Sequence, residues 1–159
     1  MSPVAGTDDI AVGYASKSPW VPRPAQFSRW SAAALAVRPA RLAARPVDLS
    51  IRIVGLVRSR RLNARYRGKD KATNVLSFAG AGLGPDGRLN LGELVICAPV
   101  VAREAAAQRK SRESHWAHMT VHGVLHLLGF DHERGADARK MEGREVQILD
   151  RLGFSNPYV

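Results

Sequence analysis

All five histidines of the chain lie between positions 115 and 132, although the chain has 159 residues. His118, His122 and His126 are spaced by four residues, so on a helix their imidazoles line one face. His132 follows six residues after His126, just beyond Gly129, a residue type that often ends a helix. A chain that turns back at this glycine can bring His132 against the last helical turn. The pattern therefore predicts a metal site.

Catalytic zinc sites use three protein ligands and leave a fourth position for water, whose pKa falls to about 7 and which becomes reactive. His122, His126 and His132 match that number, because histidines four residues apart can converge on one ion. His118 could replace His132, but three ligands in one row surround a tetrahedral ion poorly. We therefore expect His118 to support a ligand or to lie in the core. We predict one Zn²⁺ per chain, with Ni²⁺ or Cu²⁺ as competing ions, and hydrogen-bonded core histidines are the alternative.

The string HGVLHLLGFDH, from His122 to His132, has the ligand spacing of the zincin peptidases, H-E-x-x-H-x-x-G-x-x-H. A zincin uses the glutamate after its first histidine as general base, and this chain has Gly123 at that position. Peptide hydrolysis by that mechanism is therefore not expected.

The same string matches H-G-x-L-H-L-x-G-[YF]-D-H throughout, and in this it resembles the YbeY-type bacterial endoribonucleases, which are rRNA maturation factors. Residues 62–78 are similar to a second block of that family, L-N-x-x-Y-R-G-K-D followed by T-[DN]-V-L-S-F. Residues 91–97 and 152–158 match further family segments, so the resemblance covers nearly the whole chain. Many members carry aspartate where this chain has Asn74.

This resemblance implies a metal-dependent endoribonuclease that prefers single-stranded RNA and acts in 16S rRNA maturation and ribosome quality control. Its partners would be an rRNA precursor and the 30S ribosomal subunit, and neither DNA nor a membrane is expected. Two alternatives remain open. One is a non-catalytic ribosome-assembly factor whose metal is structural, and the other is a metallohydrolase that acts on a different bond.

The resemblance also implies that Arg67 lies beside the metal and is catalytic together with His122. A planar guanidinium there could hold the scissile phosphate through two hydrogen bonds and offset charge in the transition state. The alternative for Arg67 is a salt bridge with Asp70, three residues further along the chain.

Residues 58–71 carry seven basic side chains and one acidic side chain. Arg58, Arg61 and Arg65 share one face of a predicted short helix, and Lys69 and Lys71 follow it. Such a stripe is typical of surfaces that follow nucleic-acid phosphates, so we predict that these five residues bind RNA. The alternative is a basic face that is merely solvated.

Two carboxylates are candidates to hold the metal ligands in place. Glu145 lies within the apolar stripe of the predicted last helix, where an acid is seldom found without a partner. We expect it to orient a histidine or an arginine of the site, and a structural ion pair is the alternative. Asp131, next to His132, could accept a hydrogen bond from a ligand imidazole, or it could cap a turn.

Composition bounds the class of protein. The chain has 24 Lys and Arg against 14 Asp and Glu, which gives a net charge of +10 and favours a polyanionic partner such as nucleic acid. The single cysteine, Cys97, excludes an internal disulfide and a cysteine-rich zinc site. The first 20 residues lack the pattern of a secretion signal, so we expect a cytoplasmic protein.

Residue patterns predict four strands and about five helices in mixed order, which indicates an α+β (mixed α/β) fold. The helix at about residues 113–128 is apolar nearly all round, so we expect this zincin-like metal helix at the centre of the fold. We predict one metal-dependent endoribonuclease domain over residues 1–159. The predicted strands are 8–15, 49–54, 73–78 and 89–97, and the predicted helices are 26–37, 56–66, 99–108, 113–128 and 136–152.

Overall fold

The computed structural model describes residues 6–130 and 135–159. These residues form the predicted four strands and five helices, together with a short 3₁₀ helix. In chain order the elements are β1 (Asp9–Tyr14), α1 (Pro24–Leu35), the 3₁₀ helix (Ala40–Leu42), β2 (Val47–Val54), α2 (Leu56–Arg67), β3 (Val75–Leu83), β4 (Leu89–Cys97), α3 (Ala98–Ala107), α4 (Arg112–Leu127) and α5 (Gly135–Arg151). The predicted α+β fold class is therefore confirmed. None of the helices in the described part of the chain is long and apolar enough to cross a lipid bilayer.

Local signals in the sequence account for several helix ends. Pro24 opens α1, where the missing N–H of proline costs no hydrogen bond. The side chain of Ser111 caps α4 by accepting a hydrogen bond from the Ser114 backbone N–H at 3.0 Å. Gly68, with φ at +70°, ends α2 in the left-handed conformation that favours glycine. Gly129 has φ at +102° just beyond α4, so the predicted helix end is confirmed.

The four strands form one sheet in the order β1-β2-β4-β3. The first three of these are parallel, and β3 runs antiparallel to β4 at the edge of the sheet. A tight turn joins β3 to β4 and is closed by a 2.9 Å bond from the Gly84 N–H to the Arg88 carbonyl. Because β3 is an edge strand, side chains from α2 can reach its backbone.

The main apolar core lies on the face of the sheet that packs against α1 and α4. Phe27 contacts both Trp30 and Trp116 edge to face, with ring centroids 5.7 and 5.8 Å apart. Residues 115–125 of α4 are buried except for the half-buried His122. The helix that carries the histidines is thus central, as its all-round apolar pattern predicts.

The opposite face of the sheet has a smaller apolar cluster, next to α2 and α3. Its buried members are Val54, Leu76, Val95, Cys97 and Val100. Burial raises the pKa of the Cys97 thiol, which keeps it protonated and is consistent with a structural role.

The strand β3 is longer than predicted, because it continues through a glycine-rich segment to Leu83. A bulge between Ala79 and Gly82 keeps this segment paired with β4. Gly92 on β4 lies against the bulge with φ at +142°, and a Cβ there would lie 2.2 Å from the Phe78 carbonyl oxygen. Glycine favours turns over strands, so residue preferences alone could not predict this pairing.

We expect Gly92→Ala to lower the free energy of unfolding by about 2–4 kcal/mol, because the new methyl group meets backbone and the backbone conformation is strained. The matched control is Gly143→Ala on α5, where a Cβ meets nothing within 4 Å. The higher helix propensity of alanine should raise the free energy of unfolding of this variant by about 0.5–1 kcal/mol. Urea unfolding measures both. Equal stability of the two variants would contradict the packing described around Gly92.

Candidate metal centre

The histidines of α4 form a row of imidazoles along one side of the helix. The rings of His115 and His118 are 6.1 Å apart, and those of His118 and His122 are 6.3 Å apart, with nearly perpendicular planes in the second pair. His122 and His126 are half-buried, whereas His115 and His118 are buried. The row therefore runs from the interior to the surface at the C-terminal end of α4.

Glu145 on α5 faces this row, and its side chain is 0% exposed. One carboxylate oxygen, Oε1, lies 2.5 Å from Nδ1 of His122 and 3.4 Å from Nε2 of His118. The other oxygen accepts a hydrogen bond from the Tyr158 hydroxyl. Burial alone would raise the pKa of Glu145, but these hydrogen bonds outweigh it and lower that pKa to about 2. The carboxylate is therefore ionised, and it acts as an acceptor from every partner.

The contact with Glu145 determines the tautomer of His122. Because Glu145 is ionised, Nδ1 of His122 carries the proton and donates it to the carboxylate. In the neutral imidazole, Nε2 is then the unprotonated nitrogen, which is the form that binds a metal ion. Histidine ligands in metal sites commonly donate their other ring N–H to a carboxylate in this way. His122 thus fits the role of a metal ligand.

A small cavity of about 100 Å³ opens beside His122 and His126. Arg67 and Ser77 complete its polar lining, and Val75 and Leu76 also contribute. The Arg67 guanidinium donates hydrogen bonds to the Ser77 carbonyl at 2.8 Å and to the Tyr66 carbonyl at 3.3 Å. Arg67, which the sequence predicts to be catalytic, therefore lies at the same cavity as two of the predicted ligands.

The alternative for Arg67, a salt bridge with Asp70, is wrong. Asp70 accepts two hydrogen bonds from Arg60 instead, at 2.7 and 3.0 Å. Both partners of that pair are largely exposed, so it contributes little to stability. Arg67 is held by backbone carbonyls, and its charge is not neutralised by the acid three residues away.

Within the described residues, one group of side chains could hold a metal ion: His118, His122 and Glu145, whose ligand atoms lie within 4.8 Å of one another. This group shares His122 with the predicted ligand set and differs in the other two members. Its atoms already contact each other and Tyr158, so hydrogen bonding accounts for their proximity without an ion. The predicted ligand His132 and the predicted supporting residue Asp131 lie outside the described residues.

The residues predicted to bind RNA all lie on the surface. Arg58, Arg61 and Arg65 are exposed along α2, and Lys69 and Lys71 are exposed just after its end at Gly68. Arg67 is on the last turn of the same helix. The three arginines and Arg67 therefore belong to one helix, and the two lysines belong to the segment that follows it.

Sequence reasoning missed Tyr158 as a partner of Glu145. The residue belongs to the matched C-terminal segment, but the chain must turn at Gly153 to bring it back to α5, and spacing along one helix does not predict such a return. Burial and the hydrogen bond to Glu145 raise the pKa of Tyr158, so its hydroxyl stays a donor. A second missed contact lies at the other end of the row, where Nε2 of His115 is 2.9 Å from Oε1 of Glu104.

Comparison with known proteins gives consistent matches to one family. The family model described as endoribonuclease YbeY matches residues 19–153. A curated endoribonuclease YbeY from Stenotrophomonas maltophilia (strain K279a) is 50% identical over 156 residues, which cover 94% of this chain and 92% of that protein. The protein of the same name from Laribacter hongkongensis is 46% identical, with coverage of 94% and 89%.

A solved structure shares the fold. The solution structure of a Thermotoga maritima protein aligns with a TM-score of 0.58 and 19% sequence identity, and the alignment covers 91% of each chain. At this identity the similarity concerns the fold alone.

We expect Glu145→Gln to weaken zinc binding about 10- to 100-fold, because the amide no longer holds the proton on Nδ1 of His122 with a full negative charge. Competition with a chromophoric chelator measures the affinity. The matched control is Glu142→Gln, an exposed residue of the same helix, which should bind zinc like the unmodified protein. Equal affinity of a folded Glu145→Gln protein would show that this contact does not support the ligand.

Proposed function

Because the chain belongs to the endoribonuclease YbeY family, we propose that it is a metal-dependent endoribonuclease that cleaves single-stranded RNA. The observation that carries the proposal is the shared cavity of His122, His126 and Arg67, which combines metal-ligand chemistry with a phosphate-binding cation. By family membership we further propose a role in 16S rRNA maturation and ribosome quality control, with an rRNA precursor in the 30S subunit as substrate. That role implies a cytoplasmic location.

We assign the metal to Zn²⁺, one ion per chain, with His122, His126 and His132 as ligands and Ni²⁺ as a possible substitute. Imidazole donors without thiolates favour zinc, and three protein ligands leave the ion open to substrate. When bound, zinc supplies Lewis-acid polarisation of a phosphoryl oxygen and activation of water near neutral pH. Glu145 and His118 then orient His122, and we assign the same supporting role to Asp131.

Arg67 binds the scissile phosphate in this proposal. Its guanidinium is anchored by the Ser77 and Tyr66 carbonyls, so it is oriented before the substrate arrives. A planar guanidinium can pair with two phosphate oxygens and stabilise the negative charge that builds up on them during cleavage. The supporting observation is that Arg67 has no bond to the nearby Asp70, which is paired with Arg60.

The exposed face of α2 would guide the RNA to this arginine. Arg58, Arg61 and Arg65 follow one another on that face, and Lys69 and Lys71 continue the positive charge beyond the helix. With a net charge of +10 the whole protein also attracts RNA at long range, which accelerates association.

Two rival functions differ in what the metal does. A ribosome-assembly factor with a structural metal would unfold when the metal is removed and would cleave no RNA in the metal-bound form. A hydrolase of another bond would cleave peptides or small esters when loaded with metal. Gly123 stands where a zincin peptidase has its glutamate base, and this argues against the peptidase.

The cleavage proposal is tested with His122→Ala and Arg67→Glu, each assayed on single-stranded RNA. We expect both to lower kcat by at least about 10²–10³, the usual cost of losing one group that stabilises transition-state charge. The exposed Arg151→Ala on α5 is the control and should keep full activity. Unchanged cleavage by both site variants, or activity that follows a copurifying nuclease, would defeat the assignment.

The guiding role of the basic face predicts a change in salt dependence. Each phosphate contact to single-stranded RNA adds about 0.7 to the slope of log K against log salt, so removing three should reduce that slope by about 2. The variant replaces the three arginines of the α2 face with alanine: Arg58, Arg61 and Arg65.

The control removes the same charge from exposed arginines on other helices: Arg112, Arg144 and Arg151. This control variant should lower the affinity for RNA only through its smaller net charge. The slope of log K against log salt should stay nearly unchanged. Equal slopes for both triple variants would mean that the α2 face is merely solvated.

A further inference from the structure

A second and larger cavity, of about 540 Å³, lies on the face of the sheet opposite α4. Alternate residues of β2 and β4 form its floor, including Arg52 and Glu93, and Tyr66 from α2 and Phe78 from β3 form its wall. A volume of this size is in the range of sites that hold small molecules or single nucleotides. The mechanism proposed above makes no use of it.

The two cavities meet at the edge strand β3. Ser77 lines the small cavity with His122, and Phe78, the next residue, lines the large one, because neighbouring strand residues point to opposite faces. Arg67 contacts a residue of each cavity. It donates to the Ser77 carbonyl at 2.8 Å, and its guanidinium carbon is 5.5 Å from the centroid of the Phe78 ring. A strand of RNA with its phosphate on Arg67 could therefore place an adjacent base in the large cavity.

The wall of the cavity offers an aromatic surface. Tyr66 is 50% exposed, although its ring packs edge to face against Phe78 with centroids 5.2 Å apart. The Arg65 guanidinium lies 5.2 Å from the Tyr66 centroid. Exposed aromatic rings flanked by arginines are the surfaces on which proteins stack the bases of single-stranded nucleic acids.

The floor of the cavity offers a donor beside an acceptor. Nη2 of Arg52 lies 3.2 Å from Oε2 of Glu93, and the two side chains are 43% and 29% exposed. An ion pair this exposed adds little to stability, and β2 and β4 are already joined by backbone hydrogen bonds. A guanine base presents two adjacent N–H donors, which match a carboxylate, next to a carbonyl oxygen, which matches a guanidinium.

We propose that this cavity binds the base of a nucleotide adjacent to the cleaved phosphate, and that it prefers guanine. The proposal rests on the endoribonuclease function inferred above, since Arg67 is what links the cavity to the reacting phosphate. Tyr66 stacks on the base, and Glu93 and Arg52 bind its hydrogen-bonding edge.

The first measurement is an NMR titration of the zinc-loaded protein with each of the four nucleoside 5′-monophosphates, which gives the affinity for each nucleotide. All four share the phosphate, so differences in affinity report the base. We expect GMP to bind at least tenfold more tightly than the other three. Tyr66→Ala should weaken GMP binding at least tenfold, and Tyr66→Phe should bind GMP like the unmodified protein. Glu93→Gln should remove the preference for GMP over the other three nucleotides. Equal binding of the four nucleotides, or unaltered binding by Tyr66→Ala and Glu93→Gln, would overturn the proposal.

The second measurement is cleavage of single-stranded RNA oligomers that each carry one guanine at a different position. We expect cleavage next to the guanine in the unmodified protein and in the control Glu113→Gln, an exposed residue at the start of α4. Glu93→Gln should raise KM and lose the positional preference while keeping kcat, a split that a merely structural residue would not produce. Cleavage without preference in the unmodified protein overturns the base site and leaves the nuclease function standing. Absence of any cleavage overturns the nuclease function, and the nucleotide titration then decides the base site alone.

Discussion

The ionised carboxylate of Glu145, enclosed between two helices and the C-terminal segment, is the group on which the site depends. Burying a carboxylate without partners would lower the free energy of unfolding by several kcal/mol, and here three hydrogen-bond donors offset that loss. His118 and His122 come from α4, and Tyr158 comes from the segment after α5. The same contacts that make the burial tolerable fix the tautomer and orientation of His122. The stability of this part of the fold and the orientation of the proposed ligand His122 therefore have one cause.

The edge strand β3 gives the second constraint. Among the described residues, no further strand pairs with the outer side of β3, so its Ser77 carbonyl can anchor Arg67. The arginine is oriented by backbone and not by an acid that would neutralise it. The α2 helix ends at Gly68, which stops the helix with Arg67 at this edge. The antiparallel pairing of β3 with β4 thus positions the Arg67 guanidinium beside the histidine-bearing helix α4.

Much of this arrangement could be predicted from the sequence, because its signals are local. Histidines four residues apart define a helix face, Gly129 marks the helix end, and the acid within the apolar stripe of α5 needs a polar partner. Contacts that depend on the path of the chain could not be predicted. Tyr158 reaches Glu145 only after a turn, and the backbone at the bulge between Ala79 and Gly82 lies where a side chain at Gly92 would be. Asp70 likewise pairs with Arg60 and not with Arg67 because of the path that the loop takes after α2.

Anomalous diffraction at the zinc edge, from crystals grown with zinc, would locate the ion directly. We predict one peak beside His122 and His126, about 2.0–2.1 Å from an imidazole nitrogen of each and of His132, with no fourth protein ligand. Glu145 should keep its contact with Nδ1 of His122 in that crystal. A peak enclosed by His118, His122 and Glu145, or an ion closed off by four protein ligands, would contradict an open catalytic metal held by three imidazoles.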